Sequence, residues 1–271
     1  MPPLAVSAVP RNADEQFHAG VRELFPDSYE FESHYVEYEF AHIGKMFESD
    51  VCPVAGATVL EFGCNIGATS VVLAHYGANV TAVDIDPRCV ELARLNAERY
   101  GVARKVRCDV LAPGEPLPFP DSSFDVVTSN SVLEYVEPKL LPHAQREMDR
   151  VLKPGGLLLV FGTSNRLWPL EAHSKRWLVN YIPRGLDRLL AKPLARGVWP
   201  GRLRRGFGPG YDDLLVGQEG ARRYAELKRQ MGAPEWRLRA MRLAAPAFAM
   251  SPWSIGLVMP YATLLLRKRG G

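Results

Sequence analysis

The chain is poor in the residues that build metal sites and disulfide scaffolds. Its 271 residues include only four cysteines and six histidines, and no two cysteines form a C-x-x-C pair. Zinc ligation and a disulfide framework are therefore excluded as readings, and no metal is expected. Cys52, Cys64, Cys89 and Cys108 read as reduced thiols of a cytoplasmic protein. The opening residues MPPLAVSAVPRNADEQ lack a charged n-region and a long apolar h-region, so no secretory signal is expected there. The uncharged run from Leu243 to Leu266 is interrupted by Pro246, Pro252, Gly256 and Pro260. A membrane span needs about 18 or more uninterrupted apolar residues, so strands joined by a prolyl loop are expected instead. Internal repeats and low-complexity tracts are absent, as are G-x-G-x-x-G and G-K-S/T, which argues against dinucleotide and P-loop sites.

What remains is the composition of a globular protein, 47% hydrophobic and 23% charged. A net charge of +3 hides an asymmetry. Residues 1–150 carry 12 Lys and Arg against 23 Asp and Glu, whereas the remainder carries 21 against 7. An acidic front and a basic back suggest surfaces with different partners, or two halves that attract each other.

Two helices lead. NADEQFHAGVRELF places Phe17, Val21, Leu24 and Phe25 on one face, and SHYVEYEFAHIGKMFE does the same with Val36, Phe40, Ile43 and Phe47, with Ser33 as the expected cap. From residue 57 apolar strands near 58–62, 79–84, 104–109, 124–129 and 156–162 alternate with helical segments near 67–76, 87–100 and 138–152. In DPRCVELARLNAERYG, Asp86 caps, Pro87 opens and Gly101 stops the helix. Such alternation predicts an α/β fold with a parallel, doubly wound sheet. Residues 164–217, rich in Arg, Trp, Pro and Gly, read as an insertion after the fifth strand. A helix near 218–231 follows, then EWRLRAMRL and YATLLLRK as closing strands.

The segment TVLEFGCNIGATS reads as a strand, a glycine turn and a helix start, the arrangement that presents unpaired backbone N–H groups to a ligand. Asn65 stands where a middle glycine would be expected, and Asn is among the few residues that tolerate positive φ.

These residues resemble the first motif of class I S-adenosylmethionine-dependent methyltransferases, an acid followed by spaced glycines, here Glu61, Gly63 and Gly67. The resemblance continues in order through VTAVDIDP, VRCDVLAPGEPLPFPDSSFDVVTSN, SVLEYV and LKPGGLLLV, covering about residues 50–163. It implies a Rossmann-like seven-stranded sheet and S-adenosylmethionine as cofactor, leaving as S-adenosylhomocysteine. By that match Asp84 holds the ribose hydroxyls, with Ile85 beside it; a carboxylate, which only accepts, suits two hydroxyl donors. Asp109 would accept from the adenine amino group, with Val110 beside the ring. Glu61 would orient the turn and the methionine ammonium, while Cys64 and Asn65 line the cofactor. Ser129 and Asn130 stand where the family meets the methionine portion. The resemblance divides the chain into a helical cap (1–50), a cofactor core (51–163), a substrate insertion (164–217) and a closing helix with strands (218–271).

Methyl transfer from a sulfonium is an in-line displacement, and a base is needed only when the acceptor must lose a proton. Candidate catalytic residues are Glu134 and Tyr135, after the fourth strand, and His173. The last lies in TSNRLWPLEAHSKRW, which is similar to a segment of small-molecule and glycan-modifying members, with Arg166 and Glu171 nearby. His34, Tyr38 and His42 recur every four residues and form a polar stripe that would face the acceptor. The expected function is methyl transfer to O or N of a small molecule, acidic or amphiphilic. Two alternatives stay open: a lipid-linked, quinone-like or sugar acceptor at a membrane surface, and a non-catalytic cofactor-binding protein of this fold. The basic insertion is read as a lid, with membrane contact as the alternative. No nucleic-acid module is visible.

Overall fold

The computed structural model describes residues 11–48, 51–189, 194–248 and 253–270. Helices α1 (Arg11–Leu24), α2 (Tyr29–Ser33) and α3 (Tyr35–Phe47) precede the sheet. The alternating core follows as β1 (Thr58–Phe62), α4 (Ala68–His75), β2 (Asn79–Asp84), α5 (Pro87–Arg99), β3 (Val106–Val110), β4 (Phe124–Asn130), α6 (Leu141–Val151) and β5 (Leu152–Ser164). The chain closes with α7 (Pro200–Arg205), β6 (Tyr211–Asp213), α8 (Gly217–Gln230), α9 (Glu235–Phe248) and β7 (Tyr261–Lys268).

The seven strands run in the order β3-β2-β1-β4-β5-β7-β6. Pairings among β1 to β5 are parallel, while β7 runs antiparallel to β5 and β6 antiparallel to β7. Alternation along each strand feeds both faces. Val59, Val80 and Ala82 enter one buried cluster, and Leu60, Val83 and Val127 enter the other. Strand order reverses between β1 and β4, so their carboxyl ends open the crevice in which such sheets take ligands.

The leading helices close this crevice. Phe17 and Val21 of α1 are fully buried and cluster with Ile66 and Leu92. Asp14 accepts from the buried Arg99 at 2.8 Å, fixing α1 to α5. On α5 the Asp86 side chain accepts from the Arg88 backbone N–H at 2.9 Å, Pro87 stands in the first turn, and Gly101 follows with φ +68°.

Three expectations need correction. EWRLRAMRL is not a strand but lies in α9. Its apparent two-residue alternation is outweighed by Leu, Arg, Ala and Met, all good helix formers, and by Pro234 just ahead of the helix. The seventh strand is instead the three-residue β6, inside the span read as an insertion; three residues are too few to show a pattern. Ser33 does not cap α3, because it closes α2 and the N-cap position falls on His34. The sheet is also mixed rather than wholly parallel. Among the described residues no helix is long and apolar enough to cross a membrane, and the four cysteines are buried and unpaired in disulfides.

Candidate active site

β1 ends at Phe62 and the chain turns sharply through Gly63, Asn65 and Gly67, with φ of +83°, +47° and +78°. Asn65 thus adopts the left-handed conformation expected of it. Close approach explains the glycines. A Cβ on Gly63 would sit 2.5 Å from the Val132 side chain, and one on Gly67 would sit 2.9 Å from the Ala93 Cα. Gly67 therefore lets α4 and α5 pack together, and it does not line the cavity. The Asn65 side-chain oxygen faces the Cys89 thiol at 3.3 Å. Asn65→Gly is expected to bind the cofactor within about tenfold of the wild type in a calorimetric titration, and Asn65→Val to lose more, because a β-branched residue is strained at positive φ.

Asp84, at the end of β2, locks the turn. Its Oδ2 accepts from the Asn65 backbone N–H at 2.8 Å and its Oδ1 from the Asp86 N–H at 3.1 Å. Both oxygens keep lone pairs for further donors. Asp84, Ile85, Gly63, Cys64 and Asn65 border a cavity of about 1000 Å³ that runs from the turn to α8.

Two carboxylates are buried in the cavity wall. Glu61 accepts a hydrogen bond from the Ser70 hydroxyl, and Glu39 of α3 accepts from the Asn130 amide at 3.2 Å. Burial pushes Glu61 up to about 8, against the Ser70 hydrogen bond and with the Glu39 charge adding to the rise. Burial likewise pushes Glu39 up to about 7, opposed by hydrogen bonds from Tyr35 and Asn130. Neither forms an ion pair among the described residues. Two buried acids without a cation fit a ligand that brings an ammonium group. Such a ligand favours their charged forms and displaces protons. Binding is therefore expected to strengthen as pH rises from 6 through the free-state values and to level off above about 8, with proton release visible in calorimetry across buffers of different ionisation enthalpy.

At the far side of the crevice His173 and Glu134 form a pair, Nε2 to Oε1 at 2.8 Å. Glu134 is buried, and Oε1 also accepts from the Ser164 N–H at 3.0 Å. The Glu134 hydrogen bond raises the His173 pKa; burial opposes this, while the charges of Glu134 and Glu171 and the Gly162 carbonyl add to the rise. Tyr135 and Tyr261 flank the imidazole, with ring centroids 6.0 and 5.6 Å away. His173 and Tyr135 line the cavity, and Glu134 stands behind them. Glu171 is structural: it accepts from Ser164 Oγ at 2.5 Å and from the backbone of His173 and Ser174, holding the loop that carries the imidazole.

The stripe on α3 divides. Tyr38 and His42 line the cavity and stack at 5.4 Å. His34 does not, because α3 begins at Tyr35 and the imidazole folds back on Ser33 Oγ and the Glu30 carbonyl, each at 3.0 Å. Arg166 is also outside; its guanidinium lies over the Trp199 ring at 5.6 Å. Asp109 lies beside Arg107 at 2.8 Å, and Val110 pairs with Asp84 in the sheet; neither borders the cavity, where Leu111, Ala112 and Leu117 stand instead. Asn130 borders the cavity, while Ser129 is buried within β4.

Residues 60–160 match a family model described as a methyltransferase domain. Over that segment the chain carries a methyltransferase domain. The cofactor of this family is S-adenosylmethionine, and Asp84 with the paired acids fits its ribose and ammonium. Over 161 residues the chain is 33% identical to a ubiquinone biosynthesis O-methyltransferase of Cereibacter sphaeroides, covering 55% of this chain and 61% of that one. An uncharacterized protein of Haemophilus influenzae is 38% identical over 144 residues, 53% of this chain and 55% of its own. The chain thus spans less than two thirds of the length of the curated relatives it matches first. Among solved structures, a Pyrococcus horikoshii protein superposes with a TM-score of 0.58 at 18% identity, over 92% of this chain and 98% of that one. The cyclase SpnF shares the fold at a TM-score of 0.54 and 22% identity, over 85% of this methyltransferase-fold chain and 81% of its own. A shared fold leaves the reaction to the site.

Proposed function

We propose that the protein methylates a hydroxyl oxygen of a small aromatic molecule, with His173 as general base and Glu134 as the residue that orients it. The pairing of His173 with Glu134 in the wall of the cofactor cavity carries this reading. It is supported by the name of the Cereibacter relative, an O-methyltransferase, and by the aromatic lining of Tyr35, Tyr38, His42 and Tyr135.

Bound at the turn, S-adenosylmethionine supplies an electrophilic methyl group on a sulfonium. Asp84 holds the ribose hydroxyls, and Glu39 with Glu61 holds the ammonium. Glu134 fixes the ring of His173 by accepting from Nε2–H, and the neutral imidazole takes the acceptor's proton. The resulting imidazolium is stabilised by the adjacent carboxylate, and Tyr135, tilted against the ring, and Tyr261, edge-on to it, keep it from rotating away. The described residues that follow β5, 165–189, bring His173 and Lys175 to the cavity wall. Four unbridged cysteines support a cytoplasmic location.

Because His173 is raised above its ordinary value of 6.5, its neutral form appears only as pH climbs past that value, so turnover is expected to rise with pH there. Glu134→Gln removes the largest cause of the rise and should move the limb of the kcat profile to lower pH while reducing its plateau. A limb unmoved by Glu134→Gln counts against the pair.

A further inference from the structure

Lys228 is a cation in the acceptor cavity that the reaction does not use. It projects from α8 into the cavity wall. Among the described residues its Nζ meets the Met231 sulfur at 3.5 Å and the face of Tyr224 at 5.3 Å. The nearby carboxylates are engaged elsewhere. On α8, Glu226 is bonded to Arg229 and Glu219 is paired with Arg222; on α9, Glu235 meets Arg239 and Arg242; on α3, Glu37 accepts from Tyr100 and Glu39 from Asn130. Among the described residues no carboxylate pairs with Lys228. Burial pulls the ammonium down to about 8, with no neighbouring charge to offset that cost.

Rings line the cavity between this ammonium and the base. His42 is near enough that the Lys228 charge adds to the burial that lowers its pKa. Tyr38 stacks on His42 at 5.4 Å, Tyr38 lies within electrostatic reach of Tyr261, and Tyr261 meets His173 at 5.6 Å. A cation at one end, aromatic faces between, and a base at the other end match one kind of molecule.

We propose that Lys228 is the anion-binding residue of the acceptor pocket, and that the acceptor is an aromatic hydroxy acid: its carboxylate on Lys228, its ring along Tyr38 and His42, its hydroxyl toward His173. This rests on the O-methyl transfer reading and narrows it to anionic acceptors. A carboxylate regains at Lys228 a charge-assisted hydrogen bond in a partly dry site, where such bonds are strongest.

The test is calorimetric binding of 3,4-dihydroxybenzoate and of its methyl ester to the protein saturated with S-adenosylhomocysteine. The wild type is expected to bind the acid about tenfold or more tightly than the ester. Lys228→Met should collapse that preference to about twofold or less, and Lys228→Arg should retain most of it. Equal binding of acid and ester by the wild type, no binding of the acid, or a preference that survives Lys228→Met would overturn the assignment. Titration of S-adenosylhomocysteine into the wild type reads the parent proposal separately. If it does not bind, the methyl-transfer reading falls, and the acid and ester are compared on the protein alone, where the same ratio is expected.

Discussion

Replacing Asp84 by alanine is expected to weaken S-adenosylmethionine binding by about two orders of magnitude or more. Two losses combine in this variant. The ribose hydroxyls lose their carboxylate acceptors, each charge-assisted bond being worth about 1.5–3 kcal/mol. The turn also loses the anchor that Asp84 gives to the Asn65 and Asp86 backbone N–H groups. Asp84→Asn keeps one acceptor oxygen and should fall between alanine and wild type. A titration in which Asp84→Ala binds within about threefold of the wild type would remove Asp84 from the cofactor site.

Turnover by His173→Ala should fall by about 10²–10⁴, the usual contribution of a positioned base, with cofactor binding retained. The separation between kcat and cofactor affinity matters, because His173 and Asp84 act at different ends of the cavity. The loop that carries His173 is held through Glu171 and Ser164 rather than through the imidazole, so the truncation should leave the backbone in place. Residual turnover in the variant should lose the rising limb above pH 6.5, since the titrating group is gone. Unchanged turnover with an unchanged profile would mean that the acceptor loses its proton to water.

Local features of the fold were legible because they are written in local residues. The strand, turn and helix around Gly63 and Gly67, the Asp86 cap and the acid at the end of β2 each lie within a short window with a fixed chemical meaning. Asn65 was readable for the same reason: its conformation follows from the turn alone. The acceptor side was less so. His173 and Glu134, 39 residues apart, were each visible as candidates, but their hydrogen bond is a product of tertiary packing. Glu39 and Lys228 gave no signal at all. On sequence each is one charge on a charged helix, and only the docking of α3 and α8 over the crevice turns it inward. The reverse occurred at His34, placed in the pocket by its four-residue spacing, and at Arg166, Asp109 and Val110, placed there by the family resemblance; the helix start, the Trp199 contact and the sheet pairing keep them off the cavity wall. In α9 a two-residue alternation misled because helix propensity opposed it.

The measurement that tests the central claim most directly is release of S-adenosylhomocysteine by the purified protein given S-adenosylmethionine and hydroxylated aromatic acceptors, beside an acceptor-free control and His173→Ala. The site predicts product that depends on the acceptor, carries the methyl group on oxygen and drops at least about a hundredfold in the variant. Tight cofactor binding with no release above the control for any hydroxylated aromatic would contradict it, and would leave a protein of this fold that holds the cofactor without using it.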